Sequence, residues 1–507
     1  MSAQARSHRS ARFRKLAFRS AAVALGLVPF VLLEVALRQL PAPRELVATP
    51  PPAESQPGAV PVEAYDPDPL VDLHQLRPLF TLSDSADVWE IPTSRRNFFQ
   101  PAQFARHKPA NGRRIFVVGG STVQGRPYST ETAFAELLRV QCQTAWPQFE
   151  WEIVNCGGVS YAAYRVAAIV DEVLQHEPDA VVVYTGHNEF LEARTYAVQR
   201  RIPPSLAPWL AAGCRLRIVQ WPATWLRSPP PQRSVLGGEV DAVLDHPGGL
   251  ELFEREPEFR TCVIDHFQLS LCRIAEACRA AEVPLVFCVP ASDVLSVPPF
   301  KSAPPSAEEA PAAVAQQVQQ SWRQATDPQR SSEQRVEACR QVLKLDPLHA
   351  GAAYMWGRQL WQREDYDEAA TWLLVARDRD VCPLRATSEI EARVRQAAER
   401  YGTMLVDVPG SFASPQQSSI CQVRRFVDHV HPRIDGGHTR IADALFQQLA
   451  ASPALALPPA ECGSDQRAAA VDAYLAGFDV SYFERGNQRL EGLRRWAAGR
   501  GGDPLTP

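Results

Sequence analysis

The sequence predicts an α/β fold, with a parallel β-sheet covered by helices on both faces. Three observations lead there. Short apolar runs alternate with stretches of helical periodicity from about residue 115 to residue 449. The run at 180–184 is Val-rich and uninterrupted, as in a strand buried on both faces. Turns rich in Gly, Ser and Asn follow the first three runs, as expected at the carboxyl edge of such a sheet.

In chain order, strands are expected at 115–118, 149–154, 180–184, 285–289 and 404–408. Helices are expected at 134–140, 162–174, 266–281 and 441–449. Two insertions interrupt the alternation. The first, 197–260, is rich in Pro and Trp with little periodicity, which suits either surface packing or a lid over a site. The second, 303–382, contains Leu345-Asp346-Pro347 ahead of Gly357, Tyr366, Ala369 and Ala376. That arrangement resembles the tetratricopeptide repeat, two helices packed through small residues, with 336–345 as half of a preceding repeat. A free-standing solenoid needs ~3 repeats, so this hairpin must lean on the α/β core. A generic helical hairpin is the alternative. After residue 450 a Pro-Ala stretch leads to 471–496, where Tyr474, Phe478, Tyr482, Phe483, Leu490, Leu493 and Trp496 suit helices packing back on the domain. No chemistry attaches to them.

The chain has 507 residues, 45% hydrophobic and 22% charged, the composition of a folded globular protein. A net charge of −4 gives no basis for a nucleic-acid surface. Eleven cysteines are too dilute and too odd in number for a disulfide scaffold, and Cys142, Cys156, Cys288 and Cys339 lie in apolar or helical stretches as packed thiols. Residues 1–19 carry Arg6, Arg9, Arg12, Arg14, Lys15 and Arg19, and an apolar stretch at 20–38 follows. At ~1.5 Å per residue that stretch spans a ~30 Å hydrocarbon layer once Arg19 and Arg38 extend outward. A cleaved signal peptide competes, but no small-x-small site follows the apolar run. The expectation is a transmembrane anchor with its basic end cytoplasmic, then a Pro-rich linker at 39–70. The α/β domain would occupy 71–302 and 383–450 on the exported side, with a helical extension at 451–507.

Serine attacks a carbonyl only when a base takes its proton and a third group orients that base. Ser121 follows the first strand within Gly119-Gly120-Ser121-Thr122, at the edge where open α/β sheets bind ligands. His431 stands three residues after Asp428, close enough for the carboxylate to hold one ring nitrogen while the other faces a serine. Asn188, after the third strand, can donate to a developing oxyanion. A second donor is expected from the loop 155–160, at Gly158 or Ser160. His187, His429 and His438 also raise a metal-site reading, although zinc sites usually recruit carboxylate or cysteine more tightly. Without it, no metal or cofactor is implied.

In chain order, Gly119-Gly120-Ser121-Thr122, the loop from Asn155, Gly186-His187-Asn188-Glu189 and Asp428-His429-Val430-His431 resemble the four blocks of the GDSL/SGNH hydrolases. The resemblance implies a flavodoxin-like three-layer α/β/α sandwich that hydrolyses or transfers acyl esters. It implies Ser121 as nucleophile, His431 as base, Asp428 as its orienter, and Gly158 and Asn188 at the oxyanion hole. Two departures stand out: Gly120 replaces the family's Asp, and Glu189 replaces the Asp after Asn188. The leading expectation is a membrane-anchored esterase of the cell envelope acting on an acylated carbohydrate, with a protein partner at the helical hairpin. An O-acyltransferase with the same triad and a non-catalytic interaction protein are the alternatives.

Overall fold

The structure is a computed structural model that describes residues 28–30, 32–37, 78–192 (except 84 and 86), 240, 242–246, 248–413 (except 308) and 425–500, with backbone alone for 492–500. It divides into two compact units, residues 1–75 with 201–232, and residues 76–200 with 233–507. In the first unit the described residues 28–30 and 32–37 are helical and expose Val28, Phe30, Leu32, Leu33 and Val35. No helix among the described residues is long and apolar enough to cross a membrane. Of the anchor expected at 20–38, residues 20–27, 31 and 38 lie outside those residues. The linker at 39–70 and most of the insertion at 197–260 also lie outside them.

The second unit forms, in chain order, β1 (Thr81–Leu82), β2 (Val88–Glu90), β3 (Gln103–Ala105), β4 (Gly112–Gly119), α1 (Ser121–Gln124), α2 (Phe134–Ala145), β5 (Glu150–Gly157), α3 (Ala163–Val173), β6 (Ala180–Tyr184), α4 (Pro257–Ala280) and β7 (Leu285–Val289). Then come α5 (Ala312–Thr326), α6 (Ser332–Leu345), α7 (Ala350–Gln362), α8 (Tyr366–Asp378), α9 (Ser388–Tyr401), β8 (Met404–Asp407), α10 (Val408–Phe412), α11 (Thr439–Ala450), α12 (Ser464–Leu475) and α13 (Val480–Arg500).

Five strands make the main sheet in the order β5-β4-β6-β7-β8, every pair parallel. Counted within the sheet this is 2-1-3-4-5, the doubly wound order whose direction reverses beside the first strand and opens a ligand crevice at the carboxyl ends. Alternate residues of β4 serve opposite cores, which is the period-2 consequence of the pleat. Phe116 and Val118 pack with Val166 and Val170 of α3, Phe267 and Leu271 of α4, and Ile390 and Val394 of α9. Ile115 and Val117 pack with Phe134 and Leu138 of α2 and Ile441 and Leu445 of α11.

Register then places the site. Gly119 pairs with Gly157 on one side and with Tyr184 on the other, so three strands end at one level. Ser121, Ser160 and Asn188 follow those ends by two, three and four residues.

Three differences from expectation have physical reasons. Helix α4 begins at Pro257 rather than 266, because proline suits the first helical turn and Val263 and Ile264 add to its buried face. Helices α5 and α9 were not expected; α9 buries Ile390, Val394, Ala397 and Ala398, a clear helical period that a search for strands passes over. The antiparallel sheet β1-β2-β3 is built from strands of two or three residues, too short to show alternation.

Helices α5–α8 form the insertion between β7 and α9. Gly357 of α7 sits where a Cβ would come within 2.8 Å of Leu373 on α8, so the two helices approach through a missing side chain. Tyr354 donates to the carbonyl of Leu295 at 2.9 Å and packs with Val294 and Leu295 of the loop after β7, so the insertion rests on the α/β core.

Candidate active site

The turn after β4 is shaped by close packing. A Cβ on Gly119 would lie 2.1 Å from the Tyr184 carbonyl oxygen, so β4 and β6 approach there only without a side chain. Gly120 is extended and its carbonyl accepts the Val123 and Gln124 N–H groups, which makes Ser121 the first residue of α1. Gly125, at φ +91°, ends the helix in the left-handed region that glycine tolerates. Ser121 is therefore half-buried, with its N–H lacking an intrahelical acceptor.

The histidine arrives on a narrow hairpin. Val427 N–H donates to the His431 carbonyl (2.9 Å) and Arg433 N–H to the Arg425 carbonyl (2.8 Å). Asp428 divides its two oxygens between tasks. Oδ1 accepts the backbone N–H of Val430 (2.9 Å) and of His431 (2.8 Å), and Oδ2 lies 2.6 Å from His431 Nδ1. The three-residue spacing thus builds an Asx-type turn that aims the imidazole. His431 Nε2 stands 2.8 Å from Ser121 Oγ. An ionised Asp428 requires the Nδ1–H tautomer, so Nε2 is the acceptor for the serine hydroxyl. Burial alone would raise the Asp428 carboxyl, but His431 and His429 beside it, with the His431 hydrogen bonds, hold it well below the usual carboxylate range.

The remaining histidines are otherwise engaged. Burial lowers His187 to about 3, and its Nδ1 accepts the Ala386 N–H at 3.1 Å. Burial lowers His438 to about 3, and its Nδ1 accepts the Phe134 N–H at 3.2 Å. Burial likewise lowers His429, to about 4, and its ring meets Phe300 edge-on. Among the described residues no three His, Cys, Asp or Glu side chains are placed to share a metal ion.

Asn188 Nδ2 donates to the Tyr161 carbonyl (3.0 Å), which leaves its second N–H. A Cβ on Gly120 would sit 2.8 Å from that nitrogen, so the glycine standing where the GDSL pattern has Asp makes room for the amide. The expectation at Gly158 is corrected: its N–H is taken by the Gly119 carbonyl at 2.9 Å. Ser160, at φ +62°, turns the loop instead, and its N–H makes no hydrogen bond among the described residues.

Three supporting residues went unassigned in the sequence. Asn155 joins the second loop to α1, donating to the Val123 carbonyl (2.6 Å) and accepting the Gly157 N–H (3.0 Å). Gln124 donates to the carbonyls of Phe98 (2.7 Å) and Gly157 (3.1 Å). Glu189 accepts the Ala163 N–H (3.0 Å), and its burial pushes the carboxyl up to about 8. The only signal for these roles was a polar residue beside an apolar run.

No family model matches the chain, and no curated protein matches it. Among solved structures it is similar to one described as lipolytic and of the G-D-S-L family, from Desulfitobacterium hafniense, at 10% identity over 66% of this chain and 99% of that one, TM-score 0.27. A GDSL-like lipase from Bacteroides thetaiotaomicron is similar at 11% identity over 68% and 90%, TM-score 0.27. An acetyl-xylooligosaccharide esterase from a Geobacillus is similar at 12% identity over 68% and 97%, TM-score 0.30.

Proposed function

We propose that the chain is a serine ester hydrolase. The observation that carries this reading is the continuous path Asp428 Oδ2–His431–Ser121 Oγ, 2.6 and 2.8 Å long, at the carboxyl edge of the sheet. His431 Nε2 takes the Ser121 proton as Oγ bonds to the acyl carbon. The carbonyl oxygen becomes an anion facing the Ser121 and Ser160 N–H groups and the free Asn188 N–H. When the tetrahedral species collapses, the acyl–oxygen bond to the alcohol breaks and His431 returns the proton to the departing oxygen. Water, deprotonated by the same nitrogen, then releases the acid and regenerates Ser121. Asp428 stabilises the imidazolium throughout and stays ionised.

The substrate class we propose is an acyl ester of a carbohydrate, following the resemblance at the four blocks. The basic, then apolar N-terminus supports an anchored protein whose hydrolase domain is exported. A reporter enzyme active only after export, fused behind residue 450, tests that placement: an inactive fusion of normal abundance would reject it. The tetratricopeptide-like spacing supports a protein partner at α7 and α8, tested by whether surface changes on that hairpin alone release a co-purifying protein. The hydrolase reading is tested with an activated acetate ester: wild type turns it over, and Ser121→Ala at equal folded concentration does not.

A further inference from the structure

Helices α12 and α13 clamp the segment that follows the nucleophile turn. Tyr474 donates to the Glu131 carbonyl at 3.0 Å. The Tyr482 hydroxyl meets Thr132 Oγ1 at 2.9 Å and accepts the Ser129 N–H at 3.3 Å. Its ring stacks on Tyr128 with centroids 6.2 Å apart. Gly486 lies so close to the Tyr128 ring that a Cβ would reach within 2.1 Å of it, so α13 can settle on this segment only through a glycine.

That docking brings a second cation to the turn. Arg489 of α13 donates to the carbonyls of Tyr128 (3.0 Å) and Pro127 (3.4 Å). The adjoining Arg126 is half-buried; its N–H donates to the Ser121 carbonyl at 3.2 Å and its Nε to Gln124 Oε1 at 3.2 Å. Among the described residues neither arginine has a carboxylate within ion-pair distance, and the nearby Asp435 is held by Arg433 at 3.1 Å. Burial and the charge of Arg489 both lower the Arg126 guanidinium, as for a cation whose counter-ion is missing. Two guanidinium groups with no acid partner among the described residues, one held by Gln124 on a residue whose backbone N–H binds the Ser121 carbonyl, suit an oxyanion: the planar fork matches carboxylate, sulfate and phosphate alike.

We propose that Arg126 and Arg489 form an anion subsite beside Ser121 that receives an oxyanion carried by the ester substrate, with the C-terminal helix completing the site. This inference rests on the hydrolase reading. Its substrate class narrows accordingly, to esters of acidic carbohydrates such as uronates or of sulfated or phosphorylated ones.

Anion binding is measured by calorimetry on the full chain bearing Ser121→Ala, with sodium sulfate and with glucuronate, so that binding is read apart from turnover. Both are expected to bind saturably. Arg126→Gln or Arg489→Gln weakens them at least about tenfold, and Arg489→Lys, which keeps the charge but loses the planar fork, falls between wild type and Arg489→Gln. In the wild type, kcat/KM for acetylated glucuronate exceeds that for acetylated xylose, and either Gln variant lowers that ratio. Absence of saturable binding would overturn the subsite, as would unchanged binding in both Gln variants. Variants that lose thermal stability while keeping anion affinity would reduce the arginines to a structural role and overturn it too. Binding without any preference for the acidic ester would overturn its role toward substrate. Hydrolysis surviving in Ser121→Ala while anions still bind would instead sink the hydrolase reading and leave the anion site standing.

Discussion

His431 and Ser121 lie 310 positions apart in the chain, yet Nε2 of one stands 2.8 Å from Oγ of the other. The contact is closed by the register of five parallel strands and by one tie between the two loops, Thr122 Oγ1 to the Val430 carbonyl at 3.5 Å. Asp428 holds both the hairpin and the ring, so replacing it disturbs two functions at once. Asp428→Asn should lower kcat by about 10⁴, chiefly through the wrong tautomer of His431. His431→Gln should lower it at least as far. Steady-state kinetics on an activated ester, with near-ultraviolet circular dichroism confirming the fold, checks both.

The two glycines ahead of Ser121 should separate stability from catalysis. A methyl on Gly119 would press 2.1 Å from the Tyr184 carbonyl at the end of the sheet, so Gly119→Ala should destabilise by about 3 kcal/mol or more. A methyl on Gly120 meets chiefly Asn188 Nδ2, at 2.8 Å, with its next neighbours at 3.7 Å or beyond. Gly120→Ala should therefore leave the urea midpoint nearly unchanged and lower kcat toward the 10²–10³-fold loss of an oxyanion donor. Asn188→Ala should match it. A Gly120→Ala enzyme of full activity would remove Asn188 from the oxyanion account.

Ser160 holds a left-handed φ of +62° that costs a serine about 1 kcal/mol relative to glycine. Ser160→Gly keeps the N–H and relieves the strain. It should raise the unfolding free energy by about that amount with kcat little changed, as read by denaturant titration and kinetics. Loss of activity in this variant would point to the serine hydroxyl rather than to the backbone donor.

Glu189 makes stability depend on pH in a stated direction. Its carboxyl is raised from 4.5 to about 8 by burial, so the folded state holds this proton more tightly than the unfolded chain. Stability therefore falls as pH rises from about 4.5 to about 8 and levels above that. Glu189→Gln, which can still accept the Ala163 N–H, removes this dependence. Its advantage over wild type, measured as urea midpoints, should be near zero at pH 4.5 and a few kcal/mol by about pH 8.5.

The sheet was legible because its central strands are buried on both faces, so the apolar runs at 115–118, 180–184 and 285–289 need no alternation to stand out, and the flanking runs at 149–154 and 404–408 are apolar enough to join them. Ser121 and Asn188 were legible because each sits in a short motif just past a strand end, and Asp428 and His431 because their three-residue spacing stands just ahead of α11. Gly158 was misassigned because a glycine in a loop advertises conformational freedom, whereas the hydrogen bond from its N–H to Gly119 exists only once β4 and β5 are paired. The clamp of Tyr482 and Arg489 on 127–132 was hidden for a similar reason. The apolar residues of 471–496 promised packing against the domain, but which segment they cover depends on tertiary placement that helical period does not encode.

The central claim is that Ser121 is a nucleophile activated by His431. A fluorophosphonate probe reports this directly, because it forms a stable bond only with an activated serine and needs no knowledge of the natural ester. Mass spectrometry of the labelled wild-type protein should find one adduct, on the peptide containing Ser121, and His431→Gln should abolish it. An unlabelled wild type, or equal labelling of Ser121→Ala, would contradict the claim.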